Sequence, residues 1–404
     1  MSQVNIRKYA INKRVLILLF LILSAGTHVN AENLSTQTEI SILTCSQGAD
    51  LYSIFGHSAV RVKDSINGRD IVYNFGTFNF NTPNFYIKFM RGNLNYMLAI
   101  ASFDRFMEEY IESNRTVREQ ILNLTLEQKQ KIADFLERNH RPENRYYRYD
   151  FFFDNCATRI RDVLQVAIGD SLSFPQSATQ HQKTFREILD QYTQNSPWTG
   201  LGINLLLGSV TDRVATTSET MFIPDYLEIA VSNAVIKQNG KSIPLVRENK
   251  ILFQNTVDNA QIFILYTPQV ILWLVFIIIT FITYIEVRKN KFFYGIDFLL
   301  LFIVGILGLI IFFFWFLSLH KAVINNYNLF WALPTHLVAS FFILRKNIRN
   351  WLKKYLLICG LLTSLLLILW LILPHKLDLS IMPIMFILVI RSIKLNFFQR
   401  IKIA

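Results

Sequence analysis

The sequence predicts an α+β domain outside the membrane, followed by an α-helical membrane domain with five spans. Long apolar runs are concentrated in residues 266–396 of a 404-residue chain that is 52% hydrophobic. Residues 40–260 instead mix segments of alternating polarity with segments of helical spacing, which is typical of a globular α+β domain. A short basic and then apolar segment at the N-terminus indicates that this domain is exported.

Residues 1–31 have the pattern of a secretory signal peptide. Basic residues from Arg7 to Arg14 precede the apolar run Val15–Ala25, and Val29-Asn30-Ala31 offers a small-residue cleavage site. The apolar run is shorter than the roughly 20 residues that a bilayer-spanning helix needs. Cleavage is the expected outcome and an uncleaved anchor is the alternative, and both place the following domain outside the cytoplasm.

The exported domain is expected over residues 32–197. Alternating polarity predicts three strands, at Glu39–Thr44, Ser58–Val62 and Ile71–Phe75. Helical spacing predicts three helices, at Phe103–Ser113, Leu126–Asn139 and Asn155–Ala167. Residues 198–265 are expected to connect this domain to the membrane and to contain a helix at Met221–Ala234 and a hairpin at Ala234–Phe253.

Five apolar segments are expected to span the membrane within residues 266–404. They cover about 270–285, 298–319, 329–344 and 355–373, and a last one starts near 379. The third is shorter than the others, and the last is the weakest because Arg391 and Lys394 interrupt it. Lys and Arg are concentrated after the first and third segments and in the tail, whereas the other two loops contain Lys321 and Lys376 alone. By the positive-inside rule the tail is cytoplasmic, and the net charge of +12 reflects membrane topology rather than a nucleic-acid partner.

The candidate nucleophile is the thiol of Cys156. Asp154 and Asn155 are good N-cap residues, so Cys156 is predicted in the first turn of a helix. The macrodipole and the free N–H groups of that turn favour a thiolate, and the same groups favour an oxyanion formed during acyl transfer.

The candidate base is His57, which lies next to Gly56 at the start of a predicted strand. The next strand offers Asn74, Tyr73 and Asp70 as a third group that orients the imidazole. Asn74 is preferred, because a neutral amide serves this purpose in papain-like sites. A purely structural histidine is the alternative for His57.

The other cysteines limit this hypothesis. In an oxidising compartment Cys45 and Cys156 can form a disulfide, which would remove the nucleophile. Cys359 lies inside an apolar run and is expected to be inert. The sequence contains no zinc-ligand spacing, P-loop or dinucleotide fingerprint, so neither a metal nor a cofactor is expected.

Several motifs together resemble a known family. They are Leu43-Thr44-Cys45, Phe55-Gly56-His57-Ser58, Tyr73-Asn74-Phe75-Gly76-Thr77-Phe78, Asn84-Phe85-Tyr86, Arg91-Gly92, Asp154–Asp162 and, in the third span, Asn328-Leu329-Phe330-Trp331 with Pro334. A histidine followed by an Asn-Cys pair at a helix start resembles the circularly permuted papain-like fold of NlpC-type and lecithin:retinol acyltransferase-type proteins. The full set, with five spans after it, resembles the Lnb family of lipoprotein N-acyltransferases.

The resemblance implies a reaction at the bacterial inner membrane, with the N-terminal domain in the periplasm. An acyl chain passes from a phospholipid to Cys156 as a thioester, and then to the α-amine of a diacylglyceryl-cysteine lipoprotein. His57 assists both steps, and Arg91, Asn155 and Tyr52 are the candidate substrate-binding residues. The expected partners are the phospholipid donor, the lipoprotein acceptor and membrane lipid.

Two other classes of function remain compatible with the sequence. A Cys-His hydrolase of the cell envelope, such as a phospholipase, thioesterase or peptidase, would use the same nucleophile and base with water as acceptor. A non-catalytic membrane scaffold or sensor would instead contain a Cys45–Cys156 disulfide.

Overall fold

The computed structural model describes residues 33–175, 182–238, 240–256, 264–345 and 349–398. The predicted signal peptide, Asn239 of the predicted hairpin turn and the end of the basic tail lie outside the described residues. The described part forms an N-terminal α+β domain and a C-terminal helical domain.

The strands of the N-terminal domain are β1 (Glu39–Cys45), β2 (His57–Asp64), β3 (Arg69–Thr77), β4 (Asn95–Ser102), β5 (Val117–Leu122), β6 (Tyr146–Arg148), β7 (Leu172–Ser173), β8 (Val235–Gln238), β9 (Lys241–Pro244) and β10 (Val246–Phe253). Its helices are α1 (Phe85–Arg91), α2 (Phe103–Glu112), α3 (Leu126–His140), α4 (Cys156–Ile168), α5 (Phe185–Thr193), α6 (Pro197–Leu206), α7 (Thr217–Thr220) and α8 (Pro224–Asn233). The three predicted strands correspond to β1, β2 and β3, and the three predicted helices correspond to α2, α3 and α4.

Seven strands form one antiparallel sheet in the order β10-β5-β1-β2-β3-β4-β6. The strands β7, β8 and β9 form a smaller antiparallel sheet. In the large sheet Cys45 of β1 lies directly opposite His57 of β2. The strand that bears the candidate base is therefore central, with β1 on one side and β3 on the other.

The two faces of the large sheet pack against different helices. Residues on one face, such as Val60 of β2 and Phe75 of β3, form a core with α3, α4 and α8. Residues on the other face, such as Cys45 and Val72, form a core with α2. The separation follows from the two-residue repeat of a strand, which sends successive side chains to opposite faces.

Residues 198–265 contribute to the N-terminal domain as well as leading to the membrane. The helix α8, expected near Met221–Ala234, places Leu227 and Val231 in the same core as Cys156. The strands β8 and β9 form a hairpin, and β10 pairs with β5 along the edge of the large sheet.

The helical domain contains α9 (Pro268–Lys289), α10 (Tyr294–Leu317), α11 (Thr335–Ile343), α12 (Asn350–Leu369) and α13 (Met382–Ile393). Among the described residues, four helical segments are long and apolar enough to cross a membrane: 268–289, 294–317, 350–369 and 379–396. The third predicted span instead contains the nine-residue helix α11, which at 1.5 Å per residue reaches only about 14 Å. The described residues therefore contain four full-length candidate spans, and the third predicted segment is shorter than the others, as expected.

A proline and two glycines explain why the third segment is short. Pro334 precedes α11, and a proline cannot continue a helix from the preceding turn. The backbone of Ala332 and Leu337 packs directly on α10, where Gly308 and Gly305 leave no side chain in the way. A Cβ atom at those glycines would lie 2.1 Å from the Ala332 carbonyl oxygen and 2.2 Å from the Leu337 nitrogen. The segment is thus an irregular chain held against α10.

The last predicted span is a full-length apolar segment despite its two charges. Arg391 donates hydrogen bonds to Glu286 and, at 2.5 and 2.7 Å, to Asp297, while Lys394 lies 3.1 and 3.2 Å from the same two carboxylates. Thr283 completes the cluster. All five side chains are buried, and two cations balance two carboxylates. Intramembrane charges are tolerated when they are paired in this way.

Replacing Arg391 by Met is expected to destabilise the helical domain by about 3–5 kcal/mol, because Glu286 and Asp297 would then share only Lys394 while staying buried. Thermal unfolding of the full chain in detergent measures this effect. Lys289→Met, at an exposed position near the end of α9, removes the same charge and should leave the melting temperature nearly unchanged. Equal melting temperatures for the two variants would contradict the prediction.

Candidate active site

The helix that bears the candidate nucleophile starts at a capping box. The Oδ1 atom of Asn155 accepts the backbone N–H of Thr158, and the hydroxyl of Thr158 accepts the backbone N–H of Asn155. The Nδ2 atom of Asn155 donates to the carbonyl oxygens of Phe151 and Phe222. These bonds pair backbone N–H groups of the first turn that have no partner within the helix, and they fix Cys156 as the first residue of α4.

The thiol of Cys156 is buried and faces three backbone N–H groups. They belong to Cys156 itself, to Ala157 and to Ser58 of β2. The pairing of β2 with β3 begins at Val60, which lies opposite Tyr73. Ser58 precedes this paired stretch of β2, and its N–H group faces the thiol. The three N–H groups form the kind of donor cluster that stabilises an oxyanion.

Gly76 of β3 lies beside the cysteine helix in a conformation that favours glycine. Its φ of +88° is in the left-handed region, so a residue with a side chain would be strained here. A Cβ atom at this position would lie 3.8 Å from the Cβ of Cys156 and 3.5 Å from the ring of Tyr149, which are ordinary van der Waals contacts.

The imidazole of His57 is held by Asn74. The Nε2 and Oδ1 atoms are 3.3 Å apart, and because Oδ1 only accepts, Nε2 is the donor. Nδ1 of His57 then carries the lone pair that can accept a proton. Ser58 directly follows His57, so the imidazole and the thiol lie at the same end of β2. Strand alternation assigns the His57 side chain to the face of Cys45, whereas Cys156 packs on the other face. Among the described residues His57 is hydrogen-bonded to Asn74 and not to the thiol. The contact predicted between Asn74 and His57 is present, and the catalytic roles of Cys156, His57 and Asn74 remain predictions.

Burial sets the resting protonation of the two groups. Burial lowers the pKa of His57 to about 4, with Arg115 acting in the same direction and the hydrogen bond to Asn74 acting against it. Burial also raises the pKa of Cys156 above its ordinary value, although the three backbone N–H groups lower it. Burial therefore opposes the thiolate that the helix start was expected to favour. Proton transfer has to accompany attack on the substrate.

This arrangement predicts an unusual pH profile. The rate of Cys156 acylation by a soluble short-chain donor should stay flat between about pH 8 and 5 and fall only as the pH approaches 4, because His57 is a free base above its pKa. Asn74→Asp would raise the pKa of His57 and move this acid limb upward by about 1–3 pH units. The assignment of His57 as the base would be contradicted if the rate fell near the ordinary pKa of histidine and if Asn74→Asp did not shift the pH of that fall.

The second thiol of the domain lies directly across the strand from His57. Cys45 is fully buried, faces the core formed with α2, and burial raises its pKa to about 12. Cys45, Cys156 and Cys359 are all free cysteines in the structure. The disulfide that the scaffold hypothesis requires is thus not formed here.

Of the three predicted substrate-binding residues, Asn155 lies at the start of α4, whereas Tyr52 and Arg91 lie around and on α1. The side-chain amide of Asn155 is used by the capping box and by two carbonyl groups, so the structure gives it a positioning role. Tyr52 is 65% exposed and its hydroxyl donates to Asp50. Arg91 is exposed at the end of α1, where its carbonyl oxygen accepts the backbone N–H of Leu319 from the loop after α10. Tyr52 packs on Phe78 and Phe80, and Arg91 lies beside the loop after α10, so none of these contacts is made with the thiol.

A cavity of about 610 Å³ lies beside the cysteine helix, between the domain and the loop after α10. Its lining includes Phe75, Arg148, Tyr149, Arg159 and Lys321. Sequence reasoning missed Tyr149 and the backbone of Ser58, because only the folded sheet brings them to Cys156. The glycine in Asn74-Phe75-Gly76 was the one sequence feature that could have indicated a close approach at this point.

The site thus belongs to an exported domain with a helix-terminal thiol and an Asn-supported histidine, joined to a membrane-spanning domain. Two family models match the chain: the one described as Lnb N-terminal periplasmic domain covers residues 27–191, and the one described as Lnb transmembrane domain covers residues 258–402. No curated protein and no solved structure gives a significant match. The chain belongs to the Lnb family, as its motifs predicted, and its N-terminal domain is periplasmic.

Proposed function

We propose that the protein is a lipoprotein N-acyltransferase of the bacterial inner membrane, with Cys156 as its nucleophile. Membership of the Lnb family supports an acyltransferase in the membrane. The observation that carries the specific assignment is the thiol of Cys156 beside three backbone N–H groups at the start of α4. The proposed base is the imidazole of His57, which Asn74 holds at the same end of β2 and which has to turn toward the thiol for the reaction. Acyl transfer needs this combination of nucleophile, base and oxyanion donors.

The first half-reaction acylates the enzyme. Nδ1 of His57 takes the proton of the Cys156 thiol as the sulfur attacks an ester carbonyl of the phospholipid. The backbone N–H groups stabilise the oxyanion. Collapse of the tetrahedral intermediate breaks the ester bond, and the imidazolium returns the proton to the departing lysophospholipid oxygen. A thioester on Cys156 and a neutral imidazole remain.

The second half-reaction transfers the acyl chain to an amine. The α-amine of the diacylglyceryl-cysteine attacks the thioester and gives a proton to His57, and the Cys156 sulfur leaves. The proton on His57 then restores the thiol, so an amide forms and the enzyme returns to its starting state. A neutral imidazole at neutral pH suits this role, because a protonated one could not accept the proton of the amine.

The architecture of the two domains supports the finer structural assignments. A strand histidine that precedes a helix-terminal cysteine in the sequence, with the helix packed on an antiparallel sheet, is consistent with a permuted papain-like fold. Asn328, before α11, donates to Leu205 of the periplasmic domain, whereas the far end of α13 packs beside Glu286 near the end of α9. These contacts support five crossings, with the irregular third segment as one of them, and a cytoplasmic C-terminus.

The purified full chain, reconstituted with a phospholipid that carries a labelled acyl chain, tests the proposal. Incubation with a synthetic diacylglyceryl-cysteine peptide should give a labelled amide at the peptide N-terminus, detected by mass spectrometry. A labelled thioester on Cys156 should accumulate when the peptide is left out. Release of labelled free fatty acid without any amide would instead identify a hydrolase.

A further inference from the structure

The periplasmic domain exposes a cluster of large apolar side chains on and around α1. Within the described residues α1 has no buried residue, and Tyr86 on it is 77% exposed. The exposed members, here called the α1 surface, are Leu51, Tyr52, Phe80, Tyr86, Ile87 and Phe89. A contiguous apolar surface of this kind marks a contact with another molecule or with a membrane.

The α1 surface is continuous with the end of a membrane-spanning helix. The backbone N–H of Leu319, two residues beyond α10, donates to the carbonyl oxygen of Arg91 at 2.9 Å. The Nε2 atom of His320 lies 3.0 Å from the carbonyl oxygen of Phe89. Because α10 ends at Leu317, these bonds hold α1 at the level where the bilayer surface begins.

The composition of α1 suits a lipid interface. Lys88 and Arg91 occupy its last turn, and the three exposed apolar residues Tyr86, Ile87 and Phe89 are on the same short helix. Aromatic side chains are enriched at the depth of the lipid headgroups, and Lys and Arg are attracted to phosphate groups there.

A continuous series of aromatic contacts leads from this surface to the candidate nucleophile. Its ring centroid distances are 6.2 Å from Phe89 to Phe85, 5.7 Å from Phe85 to Phe78, 5.2 Å from Phe78 to Tyr96 and 4.5 Å from Tyr96 to Tyr149. The ring of Tyr149 and the Cβ of Cys156 both border the space that Gly76 leaves open. We call this series the aromatic track.

We propose that the α1 surface inserts into the outer leaflet of the membrane and that the aromatic track guides a phospholipid acyl chain from there to Cys156. This inference rests on the function proposed above, since it supplies the route for its donor. The chosen occupant is lipid, because α1 is bonded to the end of a spanning helix and has basic residues in its last turn. A lipoprotein acceptor or a second copy of the chain is the competing occupant.

Photocrosslinking tests the surface. A benzophenone amino acid at position 86 of the full chain, in vesicles of phosphatidylethanolamine and phosphatidylglycerol, should crosslink to an alkyne-labelled phospholipid. The same amino acid at Ile66, which is 59% exposed in the turn at the opposite end of β2, should crosslink far less. Crosslinks at position 86 to a lipoprotein or to a second copy, without lipid, would overturn the inference.

A donor comparison tests whether the α1 surface supplies the acyl donor from the membrane. The variant Tyr86→Ser/Ile87→Ser should acylate Cys156 at least about tenfold more slowly from vesicle phospholipid and nearly normally from monomeric dihexanoyl phosphatidylcholine. The control variant Ile66→Ser/Val166→Ser changes two other exposed apolar residues and should behave like the wild type with both donors. Equal rates for both variants with vesicle donor would overturn the inference and leave the proposed function standing. Absence of acyl-Cys156 with either donor in the wild type would overturn the proposed function, and the track with it.

Discussion

Replacing Cys156 by Ala is expected to abolish acyl-enzyme formation and to lower lipoprotein N-acylation by about 10³-fold or more. The thiol is the only group that the proposed mechanism uses to form a covalent bond, and loss of a nucleophile has effects of this size or larger in other covalent enzymes. Mass spectrometry of lipoprotein N-termini, in cells that lack other N-acyltransferases, measures the loss.

The matched control is Cys45→Ala. Cys45 lies opposite His57, but its thiol is fully buried and its raised pKa keeps it protonated. We expect this variant to lose about 1 kcal/mol of stability from the small cavity and to keep acylation of Cys156 within a fewfold of the wild type. If Cys45→Ala were inactive and Cys156→Ala active, the nucleophile would have to be reassigned to β1.

Replacing His57 by Ala is expected to slow both half-reactions by about 10²–10⁴-fold. Without the imidazole the Cys156 thiol, whose pKa burial raises, has no base to receive its proton. Added imidazole should restore part of the acylation rate if the space left by the side chain admits it. Stopped-time measurements of thioester formation with a soluble short-chain donor separate this effect from lipid access.

His140→Ala is the control for His57→Ala. His140 lies at the end of α3, with Nδ1 3.4 Å from the carbonyl oxygen of Leu98, and has no part in the proposed mechanism. Its replacement should leave the acylation rate nearly unchanged. A loss of rate as large as that of His57→Ala would show that the assay reports folding rather than proton transfer.

Local features of the fold were predictable from the sequence. Asn155 and Thr158 satisfy the first turn of α4 from within three residues, so the position of Cys156 at a helix start follows from the capping pattern. The strand that bears His57 follows from alternation, because one face of β2 packs on α4 and the other on α2. The contact between Asn74 and His57 was predictable for the same reason, since the two residues lie on neighbouring strands, β3 and β2.

Long-range features were not predictable. Nothing near Ser58 indicates that its N–H faces a thiol almost a hundred residues later, and nothing near Arg391 indicates that Glu286 and Asp297 neutralise it. The burial that raises the pKa of Cys156 was not predictable for a related reason: the helix start is visible in the sequence, whereas burial depends on the whole domain. The short length of the third segment was predictable from its apolar run, but its packing on Gly305 and Gly308 was not, because composition records apolar length and not contacts.

The position of β10 has a consequence for biogenesis. This strand pairs with β5 as the last strand at one edge of the large sheet. It ends at Phe253, and only fourteen residues separate it from the first spanning helix, which begins at Pro268. The sheet cannot be completed until nearly all of the periplasmic part has passed through the translocon. Until then β5 is an open edge able to pair with other chains. A soluble fragment of the domain should therefore extend past Phe253, because ending it earlier would leave that edge permanently uncovered.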